Sequence, residues 1–220
     1  MRGQSLNMKN LNTENVNWFA LVGGALTLVL TVASMFVPWW QITVGKTLAT
    51  VRFSPVSLSM NIIGYNAALP IITAISWMFI ILLTSAGIIL VIYSLNPTKP
   101  YSKRLLSFAY KKPLGTVIAF AVLILLVTNA GSILGIMLGP SRTSGADLNI
   151  PWTGSKTLRL PSSLSQGMLQ GIAISTELEW TFWLAVTVAA LCIAAKLYHK
   201  KFDKLTDENF KQPSQESEKS

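Results

Sequence analysis

The side chains best suited to metal or thiol chemistry are few: one histidine, His199, and one cysteine, Cys192. Two such ligands cannot close a four-ligand zinc site, nor supply four thiolates to an iron–sulfur cluster. A His–Met haem would have seven methionines to choose from, but His199 sits among lysines, outside any apolar run. It reads as an interfacial histidine, and Cys192 as a small packing residue with S-palmitoylation as the minor alternative. No Ser/His/Asp set can assemble on the loops, because the only histidine lies beyond the far end of the last apolar segment. No glycine-rich loop precedes a Lys-Ser/Thr pair that could cradle phosphate. Glu177 and Glu179 remain as acid–base candidates. On a helix, residues two apart diverge, so they are expected to pair with Arg142 or Arg159 rather than to act together. The expected complement is therefore no catalytic residue, no metal and no cofactor.

The elements that position these residues are apolar. Of 220 residues, 51% are hydrophobic and 12% charged, with a mean hydropathy of +0.48. A soluble domain carries about 25% charged residues. The 18 Lys+Arg against 9 Asp+Glu fall in clumps between uncharged runs, unlike the stripe of a nucleic-acid binder. No nucleic-acid partner is expected. Crossing a bilayer takes roughly 20 apolar residues, and four segments qualify: Asn17–Val37, Leu69–Leu95, Pro113–Leu138 and Leu178–Tyr198. The first is longer than a signal-peptide core of roughly 7–15 residues and is read as an uncleaved span. The fold expected is a membrane four-helix bundle carrying a small extracellular antiparallel β-sheet.

Orientation follows from the basic loops. Residues 96–112 carry Lys99, Lys103, Arg104, Lys111 and Lys112 with no acid, and the last span runs into Lys196, Lys200, Lys201 and Lys204. Both termini and the middle loop are thus expected in the cytoplasm of a cell-membrane protein. There Lys103, Arg104, Lys111, Lys112, Lys196, Lys200 and Lys201 would meet anionic lipid headgroups. The division is 1–16 as an N-terminal segment, 17–95 as two spans and their outer loop, and 96–112 as a basic loop. Residues 113–202 form the second pair of spans with its loop, and 203–220 a polar tail expected to be disordered.

The first outer loop alternates with period two. Trp40, Ile42 and Val44 are followed by Ala49, Val51 and Phe53, then by Val56, Leu58, Met60 and Ile62, with polar residues between. Such alternation predicts half-buried strands, with Ser57, Ser59 and Arg52 on the opposite face. A second resemblance is internal. Pro38-Trp39, Gly45-Lys46-Thr47-Leu48 and Ser57-Leu58-Ser59 are answered in order by Pro151-Trp152, Gly154, Lys156-Thr157-Leu158 and Ser163-Leu164-Ser165. A duplicated span–sheet–span unit and chance similarity in biased composition are both open readings. Within the spans, Gly131, Gly135 and Gly139 share one face and predict close helix packing, with Asn129 beside them as an interhelical hydrogen-bonding group.

Four spans, both ends inside, and a strand-built first loop that opens with Trp39-Trp40 resemble the claudin-type tetraspan architecture. The resemblance implies adhesive or barrier assemblies, or subunits that accompany larger membrane complexes. The first loop has no cysteine pair, and Trp39-Trp40 is not followed by Gly-Leu-Trp, so only the layout carries over. The function expected is non-enzymatic contact, as an accessory or assembly subunit or an envelope scaffold, with Trp39, Trp40 and Trp152 touching partners outside. Other membrane-protein subunits or further copies of the chain are the expected partners. The alternatives are a channel or transporter component and, third, a membrane-bound enzyme.

Overall fold

A computed structural model of the chain describes residues 16–45, 48–67, 70–95, 97, 101–130, 150–158 and 171–211. Four helices are long and apolar enough to cross a membrane: α1 (Trp18–Phe36), α2 (Pro70–Leu95), α3 (Ser102–Thr128) and α4 (Trp180–Lys211, its apolar part ending near Lys200). The 19 residues of α1 rise about 28 Å at 1.5 Å each, close to the hydrocarbon thickness of a bilayer. Each helix packs on two neighbours in ring order, α1 on α2 and α4, and α3 on α2 and α4.

Asn17 starts α1, its Oδ1 accepting from Ala20 N at 3.1 Å, while Pro70 occupies the first position of α2, where a missing N–H matters least. Two adjacent glycines let α1 approach two partners at once. A Cβ on Gly23 would lie 3.4 Å from Leu191 of α4, and one on Gly24 only 2.9 Å from Gly87 O of α2. Gly24 and Gly87 thus mark the closest crossing of α1 and α2.

The third helix departs from expectation. It begins at Ser102, so most of the segment expected as a basic loop is its first three turns, and Pro113 lies inside the helix. Leu106, Ala109 and Pro113 are buried while Lys103, Arg104 and Lys111 are exposed. This amphipathic pattern outweighs the boundary that proline usually sets. Asn129, expected deep in a span, caps the C-terminus of α3 instead. Its exposed Nδ2 donates to Leu125 O of its own helix at 2.8 Å.

Strands β1 (Trp40–Val44), β2 (Ala49–Ser54), β3 (Ser57–Ile62) and β4 (Tyr65–Ala67) lie between α1 and α2, whereas β5 (Gly154–Leu158) and β6 (Ile172–Leu178) lie between α3 and α4. They form one sheet in the order β4-β3-β2-β1-β6-β5, antiparallel throughout. The β1–β6 pair sews the two segments together. Residues opposite in register share a face, which sets Leu58, Phe53, Trp40 and Leu178 in one row and Met60, Val51, Ile42 and Thr176 in the next. Ser59, Arg52, Gln41 and Glu177 take the other face. Val56 falls outside this alternation, in the β2–β3 turn.

At two matched positions of the internal resemblance the segments differ, while Ser163-Leu164-Ser165 lie outside the described residues. Trp39 is buried beside the central strand β1, while Trp152 is exposed beside the edge strand β5. Gly45 sits in the β1–β2 turn, whereas its counterpart Gly154 opens a strand. Matched letters occupy unlike positions because the register of the sheet, not the order of the motif, fixes which residues turn and which pair.

Candidate functional site

The junction between bundle and sheet is built around Trp39. Its indole Nε1 donates to Ser34 Oγ of α1 at 2.7 Å, and its ring meets Phe120 of α3 edge-on at 5.0 Å between centroids. Its backbone N donates to Phe53 O and its carbonyl accepts from Glu179 N. Thr181 Oγ1, at the start of α4, donates to Pro38 O at 2.6 Å. One residue pair, Pro38-Trp39, therefore binds α1, α3, α4 and the sheet. Trp40 reaches the second segment through its Nε1, which donates to Trp152 O at 3.0 Å.

This geometry corrects the expectation for the tryptophans. Trp39 and Trp40 are each 1% exposed and belong to the core, leaving Trp152 at 48% as the surface residue of the three. Period-two patterning could not separate them, because the chain bends from helix to strand at this pair and turns both indoles inward.

Two surfaces stand free on the sheet. On its polar face, Asn66, Asn61, Thr50, Thr43, Ser175 and Ser155 are successive register partners and form one row across all six strands. The row spans about 24 Å at 4.7–4.9 Å per strand. Neighbouring side chains are linked, Asn61 Nδ2 donating to Asn66 Oδ1 (3.1 Å) and Arg52 Nε to Gln41 Oε1 (3.2 Å). Beyond the row lies the β3–β4 turn; Ile63 in it and Tyr65, the first residue of β4, are 70% and 81% exposed. Ile63 has φ +50°, a left-handed conformation that a β-branched residue rarely adopts.

Glu177 and Glu179 also differ from expectation. They lie in and just beyond β6, not on a helix, and both line one groove of about 390 Å³ with Thr153, Gly154 and Trp183. Extended backbone repeats every two residues, so it brings together what a helix would separate.

At the opposite end, Lys103, Arg104, Lys111 and Lys112 of α3 meet Lys196 and Lys200 of α4; the side chain of Lys201 lies outside the described residues. Lys196 Nζ donates to Tyr110 Oη at 2.8 Å and stands 4.4 Å from that ring's centroid. Lys112 Nζ lies 5.0 Å from the Phe108 ring. Among the described side chains the only acids, Glu177 and Glu179, are at the sheet end. Nearby, Asn17 is a residue that sequence reasoning missed. It is buried, with Nδ2 donating to Tyr93 Oη of α2 and Ala195 O of α4, each at 3.2 Å. Its one legible signal was an asparagine directly before an apolar run. The ring of His199 packs edge-on against Tyr93, and Cys192 is a core residue. Gly131, Gly135 and Gly139 lie outside the described residues.

Comparison with protein-family models, with curated proteins and with solved structures gives no match.

Proposed function

We propose that this chain is a non-enzymatic, four-span protein of the cell membrane that works by contact, as an accessory or assembly subunit or an envelope scaffold. The observation that carries the reading is the hairpin tip. Ile63, in a strained turn, and Tyr65, at the start of β4, are held out at the end of the sheet, beside a broad, hydrogen-bonding face. Exposed apolar groups rimmed by polar ones mark interaction sites, and backbone strain is retained where surrounding structure or function requires it. From the β2–β3 turn at the bundle, the six residues of β3 carry the tip about 20 Å away. At that distance it meets a partner's extramembrane part rather than the chain's own bilayer.

The interior supports contact over conduction. Thr27 and Thr31 of α1 donate their hydroxyls to Gly23 O and Thr27 O of the same helix, while Trp39, Leu30, Leu90, Phe120 and Val188 fill the space between helices. The cationic end supports a cytoplasmic location for both termini and an affinity for anionic headgroups, with the sheet outside. That layout is the one the claudin-type resemblance implies. A photoreactive residue at position 65, irradiated in native membranes, is expected to give one discrete protein adduct that Ile63→Asp abolishes. Diffuse adducts unaffected by Ile63→Asp would overturn the assignment of the tip.

A further inference from the structure

The β2–β3 turn, Ser54-Pro55-Val56, is driven into the sheet end of the bundle. Ser54 Oγ donates to Ser34 O of α1 (2.9 Å) and to Ser57 O (3.1 Å), and Val56 is buried. The consequence appears in α2. Its buried residues, Leu83, Ala86, Gly87, Leu90, Tyr93 and Ser94, all lie in the half remote from the sheet. In the other half, the wedge holds α2 off its neighbours, leaving a cleft of about 180 Å³ on the α3 side and one of about 220 Å³ on the α1 side.

The α3-side cleft is walled by Ile75 and Phe79 of α2 and by Ala119 and Leu123 of α3, and lined where it meets the sheet by Phe53 and Pro55. Of its three hydroxyls, two have given their protons, Ser54 as above and Thr116 Oγ1 to Lys112 O at 2.9 Å, leaving Ser76 as the third among eight apolar lining residues. The lining therefore suits hydrocarbon. Ile75 of its lining is exposed, as are Ile71 and Met78 of the same helix, and the cleft lies between two helices fit to cross a bilayer. An unbranched hydrocarbon chain, one methylene wide, is thin enough to enter between the two helices. Left empty, the cleft walls would lose dispersion contacts, and water would find few polar partners there.

We propose that this cleft binds one acyl chain of a membrane lipid, entering from the leaflet next to the sheet and splinting α2 to the β2–β3 turn. The proposal rests on the bilayer-crossing reading and is independent of what the hairpin tip contacts. It is tested on the purified full-length chain in phosphatidylcholine vesicles containing a phosphatidylcholine with a mid-chain diazirine. After irradiation, adducts are mapped by peptide mass spectrometry. Adducts are expected to concentrate on the half-buried Phe79 of α2 severalfold over Ile118 and Val122 on the exposed surface of α3. Ala119→Phe, which fills the cleft, should remove the Phe79 adducts and leave those on Ile118. Ile75→Phe fills the same space from α2 and serves if Ala119→Phe unfolds. Phe79 labelled no more than Ile118, or Phe79 labelling unchanged in a folded filled variant, would overturn the proposal. So would cross-links from one copy to another at the cleft. Absence of adducts from Ile118 as well would overturn the bilayer placement and the proposal with it.

Discussion

Two buried polar side chains carry structural roles that their neighbours cannot take over. Asn17 both caps α1 and donates to α2 and α4. Losing an N-cap costs about 0.5–2 kcal/mol, and an interhelical hydrogen bond in a membrane averages about 0.6 kcal/mol. Asn17→Leu is expected to destabilise by ~1–3 kcal/mol in equilibrium unfolding, and Asn17→Asp, which keeps the cap acceptor, by less. Equal losses would mean that the cap acceptor contributes nothing and the lost amide donors account for the whole effect. Trp39 makes a similar case at the other end. Trp39→Phe forfeits the bond to Ser34 Oγ, about 1 kcal/mol, and Trp39→Ala the aromatic packing too, about 3–5 kcal/mol. Measured unfolding free energies should rank them in that order. The sequence offered Asn17 only as the first residue of a span and Trp39 as an outer-face contact. Their burial was not legible, because it depends on which helices arrive beside them.

At the scale of elements, helix approach and strand register are each decided by small residues and alternation. A methyl group on Gly24 would sit 2.9 Å from the backbone oxygen of Gly87, whereas one on Gly115 meets nothing within 4 Å. Gly24→Ala should therefore destabilise by ~1–3 kcal/mol through overpacking. Gly115→Ala should be neutral or stabilise by up to ~1 kcal/mol through helix propensity. Thermal unfolding of the two variants in one detergent tests the opposite signs. In the sheet, Leu58 faces Phe53 on the apolar side and Ser59 faces Arg52 on the polar side. Burial of a leucine contributes about 1.5–3 kcal/mol, so Leu58→Asp should lower stability well beyond Ser59→Asp. Similar midpoints for both would remove the two-faced reading of the strand.

For the whole molecule, the distribution of charge makes the strongest claim. Of the charged residues whose side chains are described, six cations gather at the end remote from the sheet, while Glu177 and Glu179 are at the sheet with Arg52 and Lys156. In a Cys192→Ser background, Ser59→Cys should react with an impermeant thiol reagent added outside intact cells. Lys103→Cys should react only after the membrane is opened. The reverse pattern would invert the protein in the bilayer.

Apolar run length and two-residue alternation were enough to define α1, α2, α4 and the strands β1, β2 and β3, though not the short β4, because burial against lipid or a sheet face repeats locally along the chain. Sequence alone could not find the true start of α3, where amphipathic packing carried the helix through Pro113 and made most of an expected loop helical. It placed Glu177 and Glu179 on a helix, where β6 makes them neighbours, since a short mixed run does not reveal its period. Tertiary structure alone decided that Trp39 and Trp40 are core, that Gly24 meets Gly87, and that the Ser54-Pro55-Val56 turn opens a cleft beside α2. Each of these joins residues far apart in the chain, and the pairing energy that fixes them exists only once the helices and the six strands have come together.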